Sequence, residues 1–129
     1  MVATIEKEYQ AQPFDGSARL DAFSRGDLIN VTETASEVGF NWDTAMNREA
    51  WDLVVACKEN IHAEDGRLWN VCLAAYYAVA NLAHESNRVE FGVFADVKDD
   101  DGELAEEMVN LEIIGHENES GMHLTIRLP

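Results

Sequence analysis

Between residues 48 and 61 the apolar positions Ala50, Leu53, Val54, Cys57 and Ile61 recur three and four apart, the spacing that aligns one face of an α-helix. Asn47 precedes them as an N-cap, which predicts a helix over about 48–59. A second stripe, Leu68, Val71, Cys72, Ala75, Val79 and Leu82, follows Asp65 and predicts a helix over about 66–84. Trp69, Leu73, Tyr76 and Ala80 widen that stripe over most of the helical girth, so this helix is expected at the centre, with Trp51 and Trp69 packing the two helices together. The period then changes. Val89, Phe91, Val93, Ala95 and Val97 alternate with Glu90, Gly92, Phe94 and Asp96, which marks a strand with one buried face. Lys98, Asp99, Asp100, Asp101 and Gly102 turn the chain, and strands are expected over 106–115 and 122–128, joined through 116–121.

The first third is weaker in pattern. Residues 1–16 read as an extended lead ending in the turn of Pro13, Asp15 and Gly16. Ser17 can cap a short helix through Phe23 that stops near Gly26, and Leu28, Ile29, Asn30 and Val31 form a short strand candidate. Residues 32–38 form another helical turn set that Gly39 ends, and Phe40, Trp42 and Met46 look extended. Short links between the last three strands imply an antiparallel meander. The expected fold class is therefore α+β. Two main helices (about 48–59 and 66–84) pack on a C-terminal three-stranded antiparallel sheet, within a single domain over 17–129 behind the 1–16 lead.

Composition adds an electrostatic character. The chain has 129 residues with 25 Asp plus Glu against 9 Lys plus Arg, a formal net charge of −16. Such an excess opposes compaction, so it serves solubility, salt tolerance or a strongly basic partner. A hydrophobic fraction of 47% supplies a real core and argues against a disordered acidic tail. No apolar run is long enough to span a membrane, and the N-terminus lacks the basic-then-apolar order of a signal peptide. The reading is a cytoplasmic protein in which Cys57 and Cys72 are reduced and buried on core stripes, a disulfide between the two helices being the alternative.

The acid is concentrated. Between residues 96 and 119 ten acidic residues stand against Lys98 alone. This run is either a solvated sheet edge whose charges discourage strand-to-strand aggregation or an acidic binding surface. Asp99, Asp100, Asp101, Glu103, Glu106 and Glu107 are its candidate partner-binding residues.

Other chemistry is less well supported. His62, His84, His116 and His123 are scattered, although His116 and His123 fall where strands of the last hairpin pair; a zinc site there would need Glu112 or Glu117 as further ligands. Asp99, Asp100 and Asp101 before Gly102 have a calcium-loop look, but that register puts Val97 and Met108 at positions that demand carboxylates. No phosphate-cradling, dinucleotide-binding or nucleophile-elbow motif occurs, and Cys57 and Cys72 are poorly placed as nucleophiles. No catalytic residue, metal site or cofactor is assigned, and the chain does not read as an enzyme. With three lysines in all, its aromatics are not interleaved with the cations that direct nucleic-acid binding needs.

Arg19, Ala22, Phe23, Gly26, Leu28, Ile29 and Val31 resemble the opening signature of a small uncharacterised family carried by plasmids, phages and conjugative elements, R-x-x-A-[I/F]-x-D-G-x-L-[I/V]-D-V. The likeness continues through Thr32, Ala35, Gly39, Phe40, Ala45, Arg48 and Trp51, resumes at Arg67, Leu68 and Trp69, and closes on residues 125–129. Arg25, Asn30 and Asp43 depart from it. The resemblance implies a setting, the accessory genes of mobile elements, and no established activity. Charge and setting together lead to the expectation of an anti-defence protein. It would be an acidic, DNA-like inhibitor of a basic host complex that handles DNA or RNA, either a CRISPR effector or a restriction enzyme. The alternative is a replication or conjugation accessory module whose acidity reflects salt adaptation.

Overall fold

Asn47 caps a helix as its position suggests: its side-chain oxygen accepts the Ala50 N–H at 3.0 Å. The structure, a computed structural model, describes residues 16–82, 86–98, 101–118 and 121–129. In chain order the elements are α1 (Gly16–Arg25), β1 (Leu28–Asn30), α2 (Thr32–Val38), β2 (Asp43–Asn47), α3 (Arg48–Val54), α4 (Ala63–Ala80), β3 (Arg88–Lys98), β4 (Leu104–Asn118) and β5 (Gly121–Arg127). Apart from Gly16, the expected N-terminal lead lies outside the described residues.

The strands form one five-stranded sheet in the order β1-β2-β5-β4-β3. It is mixed: β1 runs antiparallel to β2, β2 parallel to β5, and β5, β4 and β3 antiparallel in turn. This corrects the expected two helices on a three-stranded antiparallel sheet. Four described helices accompany five strands, and the sheet is larger than expected because the short strand at Leu28 and the extended segment through Met46 join it, β2 lying beside β5. Thr44, Ala45 and Met46 align with Leu124, Thr125 and Ile126, and all six are buried.

The sheet has a core on each face. On one face Met46, Leu111, Ile113, Leu124, Ile126, Phe91 and Val93 pack under Ala35 of α2, Ala50 and Val54 of α3, and Leu68, Val71, Cys72 and Ala75 of α4. Successive strand residues point to opposite faces, so Ala45 and Leu28 look the other way and pack with Ala22 and Phe23 of α1. Helices on both faces replace the expected two layers. Arg19 ties α1 down: buried to 4% exposure, it donates to Thr125 Oγ1 at 2.7 Å and to the Leu124 carbonyl at 2.8 Å.

The helix boundaries also shift, for identifiable reasons. α3 ends at Val54 rather than near 59, since the Val55 and Ala56 N–H groups both turn back to the Trp51 carbonyl. The following link is held by α4 itself: Glu64 Oε2 accepts the Cys57 N–H at 2.8 Å, and Arg67 donates to the Ala56 carbonyl at 3.2 Å. α4 then starts at Ala63, ahead of Asp65, after Asn60 Oδ1 accepts the His62 N–H. Both cysteines are free, Cys72 buried and Cys57 only partly so, which corrects the expectation of two buried thiols. Burial pushes the Cys72 thiol up to about 12.

Trp69 is 38% exposed, which corrects its expected core position. The buried stripe of α4 is narrower than its apolar composition, and Trp69 stands one residue round from Leu68, off that stripe. Trp51 does pack against the core from α3. Trp69→Ala is expected to change stability by no more than about 1 kcal/mol, whereas Ile126→Ala should cost about 2–5 kcal/mol. Chemical denaturation of the two variants decides it.

Gly39 does terminate α2, at φ +129°, donating to the Ala35 and Ser36 carbonyls. A Cβ there would lie 2.7 Å from the Tyr76 ring, which stacks edge-on against Phe40 with centroids 5.5 Å apart. Gly39→Ala therefore meets backbone strain and a clash together, and a loss of about 2 kcal/mol or more is expected in the same measurement.

Candidate functional site

A strand with one buried face alternates buried and exposed residues; β4 does so only in part. Residues 111–114 are all buried, while 101–108 are all exposed. Consecutive exposure along a strand means that both faces of the ribbon are open to water at its tip. There β3 and β4 continue as a two-stranded ribbon past the helical layer, with Asp96 opposite Glu106 and Ala95 opposite Glu107.

This ribbon brings together most of the candidate partner-binding residues. Asp101 lies in the turn, Glu103 at the entry to β4, and Glu106 and Glu107 on β4 with their side chains on opposite faces; all four are exposed. Asp99 and Asp100 lie outside the described residues. Gly102, at φ +81°, lets the turn close. Glu112 does not belong to this surface, which corrects its place in the solvated acidic run. It is 1% exposed, accepts from Arg127 Nε at 2.7 Å and has Arg88 Nε at 3.6 Å.

All six arginines are engaged within the chain: Arg19 on β5, Arg25 with Asp27, Arg48 with the Gly26 carbonyl and Asp52, Arg67 with the Ala56 carbonyl and Asp96, and Arg88 and Arg127 with Glu112. Two of them neutralise a carboxylate that never faces water, and a third is buried. The acid excess set by composition is most visible on the ribbon, where the described residues 101–108 are exposed and hold no basic side chain.

The ribbon is not purely polar. Phe94 and Met108 oppose each other across β3 and β4, 67% and 53% exposed, and Leu104 is exposed nearby. Apolar anchors inside an acidic rim are the makeup of a protein-binding surface. Where the ribbon leaves the helices, Val54, Arg67, Asn70, Val71, Asp96 and Glu106 border an open cleft of about 150 Å³. That is below the size of ordinary small-molecule sites.

A second polar cluster, on the α1 face of the sheet, went unread as a unit in the sequence. His116 and His123 do oppose each other across β4 and β5, with ring centroids 5.8 Å apart. Asp43 of β2 stands 3.8 Å from His123 Nδ1, and Arg19 of α1 is the neighbouring cation. Glu112 is held by arginines rather than offered as a ligand, and the described residues contain no group of three or more metal-ligating side chains. Burial, then Arg19 and then His123 hold His116 down to about 4; burial and Arg19 also lower His123, against the pull of Asp43. Burial lowers Arg19 as well, to about 10. His62 is exposed on the α3–α4 link, and His84 lies outside the described residues.

No family model matches the chain, and neither the curated proteins nor the solved structures contain a match to it. Among the described residues no helix is long and apolar enough to cross a membrane.

The histidine pair makes stability pH-dependent with a definite sign. Both imidazoles ionise less readily folded than unfolded, so below the ordinary histidine value of 6.5 the unfolded chain binds more protons. Their contribution is complete above 6.5 and is lost as pH falls toward about 4. Melting temperature measured across that window should fall with pH more steeply in the parent than in the His116→Gln/His123→Gln variant. Equal slopes would show that the pair does not govern the acid response.

Proposed function

We propose that this chain is a non-enzymatic inhibitor whose acidic ribbon occupies the basic nucleic-acid channel of a host defence complex. The observation that carries the reading is the ribbon tip, where β4 is exposed on both faces and presents Asp101, Glu103, Glu106 and Glu107 beyond the helices. Same-face residues of a strand repeat every two positions, about 6.8 Å, so a ribbon displays carboxylates as a linear array. Duplex DNA presents one negative charge per roughly 1.7 Å of axis, and a basic channel is built for such a line of charge. Long-range attraction from a net charge of −16 speeds the encounter, and Phe94 and Met108 add apolar contact once the surfaces meet.

The setting comes from the likeness of Arg19, Gly26, Leu28 and Val31 to the mobile-element signature. Two of those residues have structural work here: Arg19 anchors α1, and Gly26, at φ +81°, closes α1 by donating to the Phe23 carbonyl. The defence systems a plasmid or phage meets in the cytoplasm are CRISPR effectors and restriction enzymes, and both grip nucleic acid through cationic channels.

The test neutralises Asp101, Glu103, Glu106 and Glu107 to Asn and Gln, keeping size and hydrogen-bonding shape. Expressed in cells carrying an active CRISPR or restriction system, the parent should restore transformation by a targeted plasmid and the neutralised variant should not. With the purified target, the variant should associate more slowly at low salt and show a flatter salt dependence. Equal protection by the two proteins refutes the reading. If the acidity is instead salt adaptation for a replication or conjugation role, the parent will lose its fold at about 0.1 M salt, where the Debye length is about 10 Å.

A further inference from the structure

At the root of the ribbon the acidic hairpin and the helical layer meet in a cleft of about 150 Å³. A protein cavity of about that volume holds one benzene-sized molecule, so the cleft has room for a single side chain of a partner. Its lining is of two kinds. Val54 and Val71 from the helices and Val93 and Ala95 from β3 are apolar, while Asn70, Asp96 and Glu106 bring polar groups to the same opening. Phe94 borders it too and is 67% exposed.

The charges in this cleft do not balance. Asp96 of β3 and Glu106 of β4 are directly opposite in the ribbon register. Their Cβ atoms are therefore about 5 Å apart, and like charges so placed repel. One cation answers them from within the chain: Arg67 Nη2 stands 3.8 Å from Asp96 Oδ2, an ion-pair distance too long for a hydrogen bond, while its Nη1 donates to the Ala56 carbonyl at 3.2 Å. Among the described residues no cation is paired with Glu106. Two carboxylates thus share one guanidinium, and the cleft keeps a negative charge beside its apolar walls.

That combination selects among cations. A metal ion needs more ligating side chains than the described residues bring together anywhere. An ammonium is a compact, strongly hydrated charge that gains little from apolar walls, whereas a guanidinium is planar, weakly hydrated and carried on an apolar stem. We propose that the cleft is a socket for one arginine side chain of the partner protein. Its stem lies along Val93, Ala95 and Phe94, and its guanidinium bridges Glu106 and Asp96 with Asn70 as a further acceptor. Nucleic-acid channels grip phosphates with arginines, so the socket takes a residue that such a channel exposes. This deepens the acidic-ribbon reading, on which the identity of the partner rests. The socket itself is tested on peptides without that partner, so the two can fail separately.

The probe is a capped pentapeptide with a single arginine among glycines, titrated into the isotope-labelled full chain at about 0.1 M salt. Amide resonances of Asn70, Val71, Val93 and Ala95 should shift in a saturable way, with a Kd on the order of a millimolar. Lysine in place of arginine should bind severalfold more weakly, and citrulline, which keeps the shape without the charge, should not bind. Glu106→Gln should weaken the arginine peptide by about fivefold or more. Glu107→Gln removes the same charge from the opposite face of β4 and should weaken it by less than about twofold. Ala95→Leu fills the cleft with no change of charge and should abolish binding. Should that variant not fold, the Glu106 and Glu107 variants, both at exposed positions, still decide. Shifts spread over the whole acidic surface, equal losses in the two Gln variants, or a lysine or citrulline peptide that binds as tightly as arginine overturns the proposal. General attraction between a chain of net charge −16 and any cation would then account for the binding. A chain that binds the peptide as expected but protects no plasmid keeps the socket and loses the defence-complex reading.

Discussion

Everything in this fold leans on the parallel pairing of β2 with β5. Three strands and a helix pair can be drawn from local pattern alone, but without that pairing the segment from α1 to β2 has no place to stand. Thr44, Ala45 and Met46 lie beside Leu124, Thr125 and Ile126, and the row they make is buried on both faces. On one face it carries Met46 and Ile126 into the main core; on the other it offers Ala45 to α1 and the Thr125 hydroxyl to Arg19. β2 is also tied backward, since the Thr32 hydroxyl bonds both the N–H and the carbonyl of Thr44 and so seats the start of α2. A contact between segments some eighty residues apart is expensive in loop entropy. It persists because it completes a central strand, β5, whose residues from His123 to Ile126 are all buried.

The same geometry sorts the charge. Arg19, Arg88 and Arg127 are drawn to the sheet face beneath and beside α1, where they meet Thr125, the Leu124 carbonyl and Glu112. A buried carboxylate with two arginines is strongly coupled to folding, because removing one partner leaves a charge in a poor solvent. The acidic ribbon is the other side of this arrangement. The long hairpin projects acid and a few apolar side chains together.

The sequence by itself determined the features that depend on neighbours a few residues away. Asn47 caps α3 and Gly39 ends α2 because each acts within one helical turn. The alternation through Val89, Phe91 and Val93 marks β3 because its period is intrinsic to a strand, and the acidic turn before β4 follows from Asp and Gly at a hairpin. Of the candidate site, the exposed acids from Asp101 to Glu107 were legible, and so was the meeting of His116 with His123 once their strands were paired. Only the tertiary structure decided the rest. The segment through Met46 reads as extended, but nothing in a five-residue strand such as β2 says that β5 will lie beside it. Glu112 belongs to an acidic run by composition, yet the approach of Arg127 and Arg88 from other strands buries it. Trp69 looks like core on an apolar helix, and α4 is apolar beyond the width its neighbours can cover. Each of these turns on a contact across the sheet or between layers, and residue spacing along a chain records what lies three or four positions away, not what folding brings from eighty.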